Sequence, residues 1–275
     1  MSDNQLAIPG VKKIIAVASG KGGVGKSTTA VNLALALVAE GHKVGVLDAD
    51  IYGPSLPAML GVPSDQRPEV VDGKRFAPIL AHGLQTLSMG NLTTEDTPMV
   101  WRGPMASSAL QQIIGQTLWH ELDILVVDMP PGTGDIQLTL SQRVPLDGAV
   151  IVTTPQDIAL MDAVKGVEMF NKVRVPVLGV VENMAMHICS ACGHQEHIFG
   201  AGGGEMMAKK YEVDVLGSLP LDMRIRQDLD DGIPTLIKAA DGEIAKLYRD
   251  IAKKVASKLS ESAEAPKMPE INIAD

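Results

Sequence analysis

Gly20-Lys21-Gly22-Gly23-Val24-Gly25-Lys26-Ser27 decides the fold of this chain. The spacing fits G-x-x-x-x-G-K-[ST], a phosphate-cradling loop, and its flanks agree. The apolar run Ile14–Ala18 before it reads as a strand. Thr28–Glu40 after it reads as a helix, with Ala30, Leu33, Ala34, Leu37 and Val38 on one face. Glycines let such a loop bend so that backbone N–H groups face phosphate oxygens, and the helix N-terminus adds its positive end. Gly20 to Ser27 and Thr28 are therefore the expected nucleotide contacts. Lys26 would reach the β- and γ-phosphates of ATP, and the Ser27 hydroxyl would ligate Mg²⁺. The competing explanation is a chance match in a glycine-rich turn.

Outward from the loop, apolar β-rich runs alternate with helical patterns. Expected strands are Ile14–Ala18, Val44–Leu47, Leu84–Leu87, Ile124–Val127, Val150–Thr153 and Val177–Val181, with a weaker one at Val213–Leu216. Most are continuously apolar, as strands buried on both faces are. The expected fold is α/β: a doubly wound, mostly parallel sheet with helices on both faces, of the P-loop NTPase type. Ligands in such sheets lie beyond the C-terminal strand ends. A final amphipathic helix is expected over Asp241–Leu259, with Ile244, Leu247, Tyr248, Ile251, Val255 and Leu259 on one side. Its lysine-rich other side suits either a sheet-capping helix or a membrane-surface one. One domain over 1–259 and a polar, disordered tail over 260–275 are expected.

Acidic residues stand at two of those strand ends. Asp128 follows Ile124–Val127, where a carboxylate would hold Mg²⁺ directly or through water. Asp48 and Asp50 follow Val44–Leu47, and Asp50 is expected with Ser27 and Asp128 around the Mg²⁺. With a free pKa of about 3.9, Asp is a weak base at neutral pH, so Asp50 suits positioning of the attacking water better than proton abstraction. Turn or helix-capping roles compete at each of these positions. Lys21, a second lysine in the loop, reads by itself as a solvated surface charge.

The chain has 275 residues, 45% of them apolar, and a net charge of −9. An acidic surface repels phosphate backbones and anionic lipid, so neither nucleic acid nor a stable membrane association is expected. No signal peptide and no membrane-spanning run is evident, and a cytoplasmic location is expected. The two cysteines, Cys189 and Cys192, form one C-x-x-C. A disulfide across so small a loop would stabilise little, which leaves metal binding or redox work.

The loop resembles the deviant Walker A motif of the MinD/ParA/nitrogenase-iron-protein class. More of the chain resembles the Mrp/ApbC iron–sulfur cluster carrier ATPases. The matching stretches include Leu47-Asp-Ala-Asp-Ile-Tyr-Gly-Pro-Ser55, Val100-Trp-Arg-Gly-Pro-Met105, Asp128-Met-Pro-Pro-Gly-Thr-Gly-Asp135 and Thr153-Thr-Pro-Gln-Asp157. Val181-Glu-Asn-Met184, Cys189-Ser-Ala-Cys192, Ile198-Phe-Gly200 and Leu219-Pro-Leu-Asp222 continue it, so that it spans roughly residues 10 to 259. The resemblance implies that Lys21 reaches the partner subunit's nucleotide, that Asp50 lies in switch I and that Asp128 lies in switch II. It implies that Asn183, Pro220, Leu221 and Asp222 hold the adenine and that Cys189 and Cys192 bind a cluster. Many members carry an extra N-terminal domain, a module that could recruit clients, whereas this sequence begins almost at its first strand. The N-terminal cysteine motif of eukaryotic relatives is absent.

A [4Fe–4S] cluster takes four thiolates and this chain offers two, so the cluster would bridge a homodimer. Zinc is the rival, since His187, His194 and His197 flank the pair and Cys₂His₂ sites are common. From the residues alone the two rank equally; the resemblance favours the cluster, with the histidines outside the ligand set. The expected protein is a homodimeric ATPase that passes a cluster to apo iron–sulfur proteins. A MinD/ParA-type positioning ATPase with a structural zinc at the C-x-x-C stands as the alternative, beside an electron-transfer ATPase.

Overall fold

The computed structural model describes residues 6–92, 103–189 and 191–264. Val100, Trp101 and Arg102 of one matching stretch lie outside these. In chain order the strands are β1 (Val11–Ala18), β2 (Val44–Asp48), β3 (Val70–Val71), β4 (Arg75–Phe76), β5 (Ile79–Ala81) and β6 (Leu84–Ser88). Then come β7 (Leu122–Asp128), β8 (Gly148–Thr153), β9 (Val177–Ile188), β10 (Gln195–Glu196) and β11 (Val215–Pro220). The helices are α1 (Lys26–Ala39), α2 (Leu56–Met59), α3 (Gly103–Gln116), α4 (Asp135–Arg143) and α5 (Asp157–Lys172). They continue with α6 (Gly203–Tyr211), α7 (Met223–Asp230), α8 (Thr235–Lys238) and α9 (Glu243–Glu264).

One sheet runs β10-β9-β8-β1-β7-β2-β6-β5, with β11 also on β9; its central pairs are parallel, and β5 and β10 are antiparallel additions. All seven expected strands are present, several longer than the apolar pattern marks. Residues alternate between two aliphatic cores. Ile15, Val17, Ile124 and Val126 pack with α1 and α9 on one face, while Ile14, Ala18, Leu125 and Val127 pack with α3 to α5 on the other. Each buried aliphatic side chain contributes about 1.5–3 kcal/mol relative to exposure, which is why these strands carry no polar alternation.

The chain leaves β1 toward β2 on one side, whereas β8 flanks β1 on the other. The loop after β1 therefore sits at the point where strand order reverses, the place where such sheets form a crevice. Helix α1 is buried from Thr29 to Leu37, because it lies between the sheet and α9. Its alanines let it approach both.

Helix α9 caps the sheet. Ile244, Tyr248, Ile251, Val255 and Leu259 are buried, whereas Leu247, placed by periodicity on the same side, is 39% exposed. The basic side is engaged within the chain: Arg249 pairs with Glu40 at 2.7 Å, Lys254 donates to the Leu216 carbonyl at 2.8 Å, and Lys258 pairs with Asp214. The helix continues five residues past Leu259 to Glu264, and residues 265–275 of the expected tail lie outside the described ones. Among the described residues no helix is long and apolar enough to cross a membrane.

Candidate functional site

The loop closes on its own lysine. Gly25 caps α1 with φ 82°, a left-handed conformation that glycine adopts without strain. Lys26, 6% exposed, places Nζ 2.5 Å from Asp128 Oδ1, 4.0 Å from Asp50 Oδ2 and 3.2 Å from Ser27 Oγ. The sequence-expected lysine, hydroxyl and two carboxylates thus converge, from the ends of β1, β2 and β7. Burial pushes the Asp128 carboxyl up, against the opposing pull of Lys26 and a hydrogen bond from Ser27. Asp128 Oδ2 is buried without a hydrogen-bond partner. A hard divalent cation is held by oxygens, so an orphaned carboxylate oxygen beside a serine hydroxyl fits Mg²⁺. Ser27 and Asp128 would hold that ion, with Asp50 near, where it would neutralise phosphate charge.

Close packing fixes the loop's position. A Cβ on Gly20 would lie 2.1 Å from the backbone carbonyl of Asp162 in α5. Backbone cannot swing aside as a flexible side chain does, so Gly20→Ala is expected to displace the loop. Nucleotide affinity should fall at least about tenfold, alongside a stability loss of about 1–3 kcal/mol; calorimetric titration and a denaturant melt would measure both.

Asp48 has a role that the sequence left among turn-type alternatives. It is wholly buried, and its Oδ1 accepts from the Asp50 amide at 3.1 Å. Its Oδ2 accepts from the Ser55 and Leu56 amides at 3.0 and 3.2 Å and from Ser88 Oγ at 3.0 Å. One carboxylate thereby ties the loop carrying Asp50 to the start of α2. Burial, and then the charge of Asp128, push the Asp48 pKa to about 7 despite those donors. The folded chain therefore binds this proton more tightly than the unfolded chain does. Its contribution to stability is full below the ordinary value of 3.8 and is lost as pH rises through about 7. Thermal midpoints should fall between pH 5 and pH 8, and Asp48→Asn should flatten that fall.

Beside the loop lies a cavity of about 350 Å³ whose lining includes Gly25, Thr28, Asn183, Pro220, Leu221 and Asp222. The expected adenine contacts therefore share one pocket. Two of them also serve structure: Asn183 Nδ2 donates to the Val24 carbonyl at 2.9 Å, and Asp222 caps α7 while pairing with Arg224. The Arg224 guanidinium holds the Asp222 carboxyl below the ordinary range. Lys21 is half-buried in the loop, where its carbonyl accepts from Ser19 Oγ at 2.8 Å.

The C-x-x-C occupies the turn between β9 and β10. The Cys189 amide donates to the His194 carbonyl at 2.9 Å, and the Gly193 amide returns to the Cys189 carbonyl at 2.8 Å. Backbone hydrogen bonds from Ala191 and Cys192 lower the Cys189 thiol pKa, so the thiolate that a metal needs is favoured. Both cysteines are free, and Cys192 is exposed. His187 Nδ1 bonds the Leu221 carbonyl at 3.1 Å and His197 Nδ1 the Ala185 carbonyl at 2.8 Å. Among the described residues no group of three or more His, Cys, Asp and Glu is placed to hold a metal. A Cys₂His₂ zinc site is thus not assembled among them. The hairpin, with β10 only two residues long, lacks any apolar period that would mark it in sequence.

A family model described as ParA, NUBPL iron-transfer P-loop NTPase, matches residues 10–256. The iron-sulfur cluster carrier protein of Escherichia coli (strain K12) is 64% identical over 256 residues, 93% of this chain and 69% of the relative. The iron-sulfur cluster transfer protein NUBPL of Mus musculus is 52% identical over 262 residues, covering 94% of this chain and 82% of the relative. Among solved structures, a nucleotide-binding protein of Archaeoglobus fulgidus in complex with ADP has a TM-score of 0.75 at 34% identity, over 88% of this chain and 93% of that one. The Pyrococcus furiosus cell division ATPase MinD shares the fold, with a TM-score of 0.68 at 22% identity over 89% of this chain and 98% of its own. With the loop, its lysine and its paired carboxylates assembled at the strand ends, the chain belongs to the NUBPL iron-transfer group of ParA-type P-loop NTPases.

Proposed function

We propose that this protein is a homodimeric, Mg²⁺-dependent ATPase of the cytoplasm that holds a [4Fe–4S] cluster between two subunits and transfers it to apo iron–sulfur proteins. The observation that carries the reading is the cysteine hairpin. It offers two free thiols, one of them held toward thiolate, and no third protein ligand among the described residues. Two copies supply the four thiolates that a cluster needs. The names of the relatives point to the same cargo. In the nucleotide site, Lys26 would exchange its carboxylate partners for phosphate oxygens, Asp50 would orient the attacking water, and Lys21 would reach the partner's nucleotide. Anaerobic reconstitution, with iron, sulfide and zinc counted per dimer, tests the reading. Four iron and four sulfide per dimer are expected; stoichiometric zinc, or a full cluster on a monomer, would overturn it.

A further inference from the structure

Strand β9 is interrupted where it passes the nucleotide loop. Its pairing with β11 reaches Ser218↔Glu182 and resumes at Pro220↔Met186, so β9 advances four residues while β11 advances two. Asn183, Met184 and Ala185 form the bulge, with Met184 at φ 56°, a left-handed conformation uncommon outside glycine. Bulges re-aim side chains and concentrate beside functional sites. Here the bulge delivers Asn183 to the Val24 carbonyl, packed so closely that a Cβ on Gly25 would lie 2.2 Å from its Nδ2.

Beyond the bulge, β9 is tied to the turn that lines the cavity. The Leu221 amide donates to the Met186 carbonyl at 2.8 Å, and His187 Nδ1 lies 3.1 Å from the Leu221 carbonyl. A carbonyl only accepts, so Nδ1 carries the proton. The next paired positions are His187↔Glu196 and Ile188↔Gln195, and Cys189 follows. A continuous run of bonded groups thus joins Val24 and Leu221 to the first cysteine.

We propose that the β9 bulge and His187 couple the cavity to the cysteine hairpin within one subunit, with His187 as the positioning residue. The inference rests on reading the cavity as the nucleotide-base site. A base seated there meets Asn183, within the bulge, and Leu221, whose backbone holds β9 just beyond it. Any displacement of the turn is carried by the Leu221–His187 bond to a point two residues before Cys189. The strained bulge is the place where β9 has slack to shift. This route needs no partner subunit, unlike one through Lys21.

The test uses full-length, metal-free, reduced protein. The alkylation rate of Cys189 by iodoacetamide is resolved by peptide mass spectrometry with and without Mg-ADP, and nucleotide affinity is measured in parallel. In the wild type, nucleotide should change the Cys189 rate by about fivefold or more, the lower end of ordinary coupling. His187→Phe, which keeps a ring but no donor, should bind nucleotide normally and lose that change. His187→Asn, whose amide nitrogen can stand in for Nδ1, should restore it. If His187→Phe does not fold, His187→Ala is the second donor-less variant. The proposal fails if the wild type binds nucleotide with no change at Cys189, or if the donor-less variant retains the change. Failure of the wild type to bind nucleotide overturns the base-site reading itself, and the proposal with it.

Discussion

Lys26→Ala should abolish measurable ATP binding, whereas Asp50→Ala should bind ATP and hydrolyse it poorly. The difference follows from where the charges sit. Lys26 is buried among Asp128, Asp50 and Ser27, at 2.5, 4.0 and 3.2 Å. Without it, incoming phosphates would face two carboxylates and no loop cation at that position. A loss of at least about 100-fold in affinity is expected, about 2.7 kcal/mol. The folded state suffers too, because Asp128 is left as a buried charge without its partner, a change that ordinarily costs about 3–5 kcal/mol. The variant should therefore be titrated at low temperature, with its melt recorded. Asp50 is at the edge of the cluster and only part-buried, so its loss leaves the cradle intact. Affinity should stay within about threefold while turnover falls about 100-fold, the scale of a mispositioned reactant. Titration calorimetry with Mg-ATP and phosphate-release kinetics separate the two effects. Equal loss of affinity in both variants would show these roles to be wrongly assigned.

Cys189→Ala and Cys192→Ala should each remove the cluster entirely without removing ATP binding. Under the shared-site proposal one substitution removes two ligands from the dimer's four, since each copy carries it. Half of a thiolate set does not retain a [4Fe–4S] centre. Neither substitution reaches the phosphate cradle, because the cysteines lie at the exposed end of β9, beyond its bulge. The readouts are the visible absorbance of the reconstituted dimer, its iron content and its affinity for Mg-ATP. Either variant retaining a full cluster would exclude that cysteine as a ligand, and the bridging site with it.

The sequence by itself determined the central architecture and the position of the loop. Strands such as β2 and β8 are buried at every residue, so apolar runs marked them without reference to neighbours. The spacing of Gly20, Gly25, Lys26 and Ser27 is local, and so was legible as one motif. The carboxylates Asp50 and Asp128 were legible because they stand within three residues of the ends of such runs. What only the tertiary structure decided depends on partners far apart in the chain. Asp48 looked like Asp50 in sequence, yet its hydrogen bond to Ser88, on a neighbouring strand, makes it the anchor of the loop that carries Asp50. Asn183 meets Val24 across the sheet, from a bulge created where β9 and β11 fall out of register. No periodicity encodes such a bulge, since it is set by how two strands pair and not by either strand alone. The histidines beside the cysteines had the composition of a zinc site, but backbone carbonyls of Leu221 and Ala185 hold two of them at Nδ1. Short-range pattern places apolar faces and motifs; buried polar groups must find whichever partners the assembled fold brings within hydrogen-bond reach, and that choice is made in three dimensions.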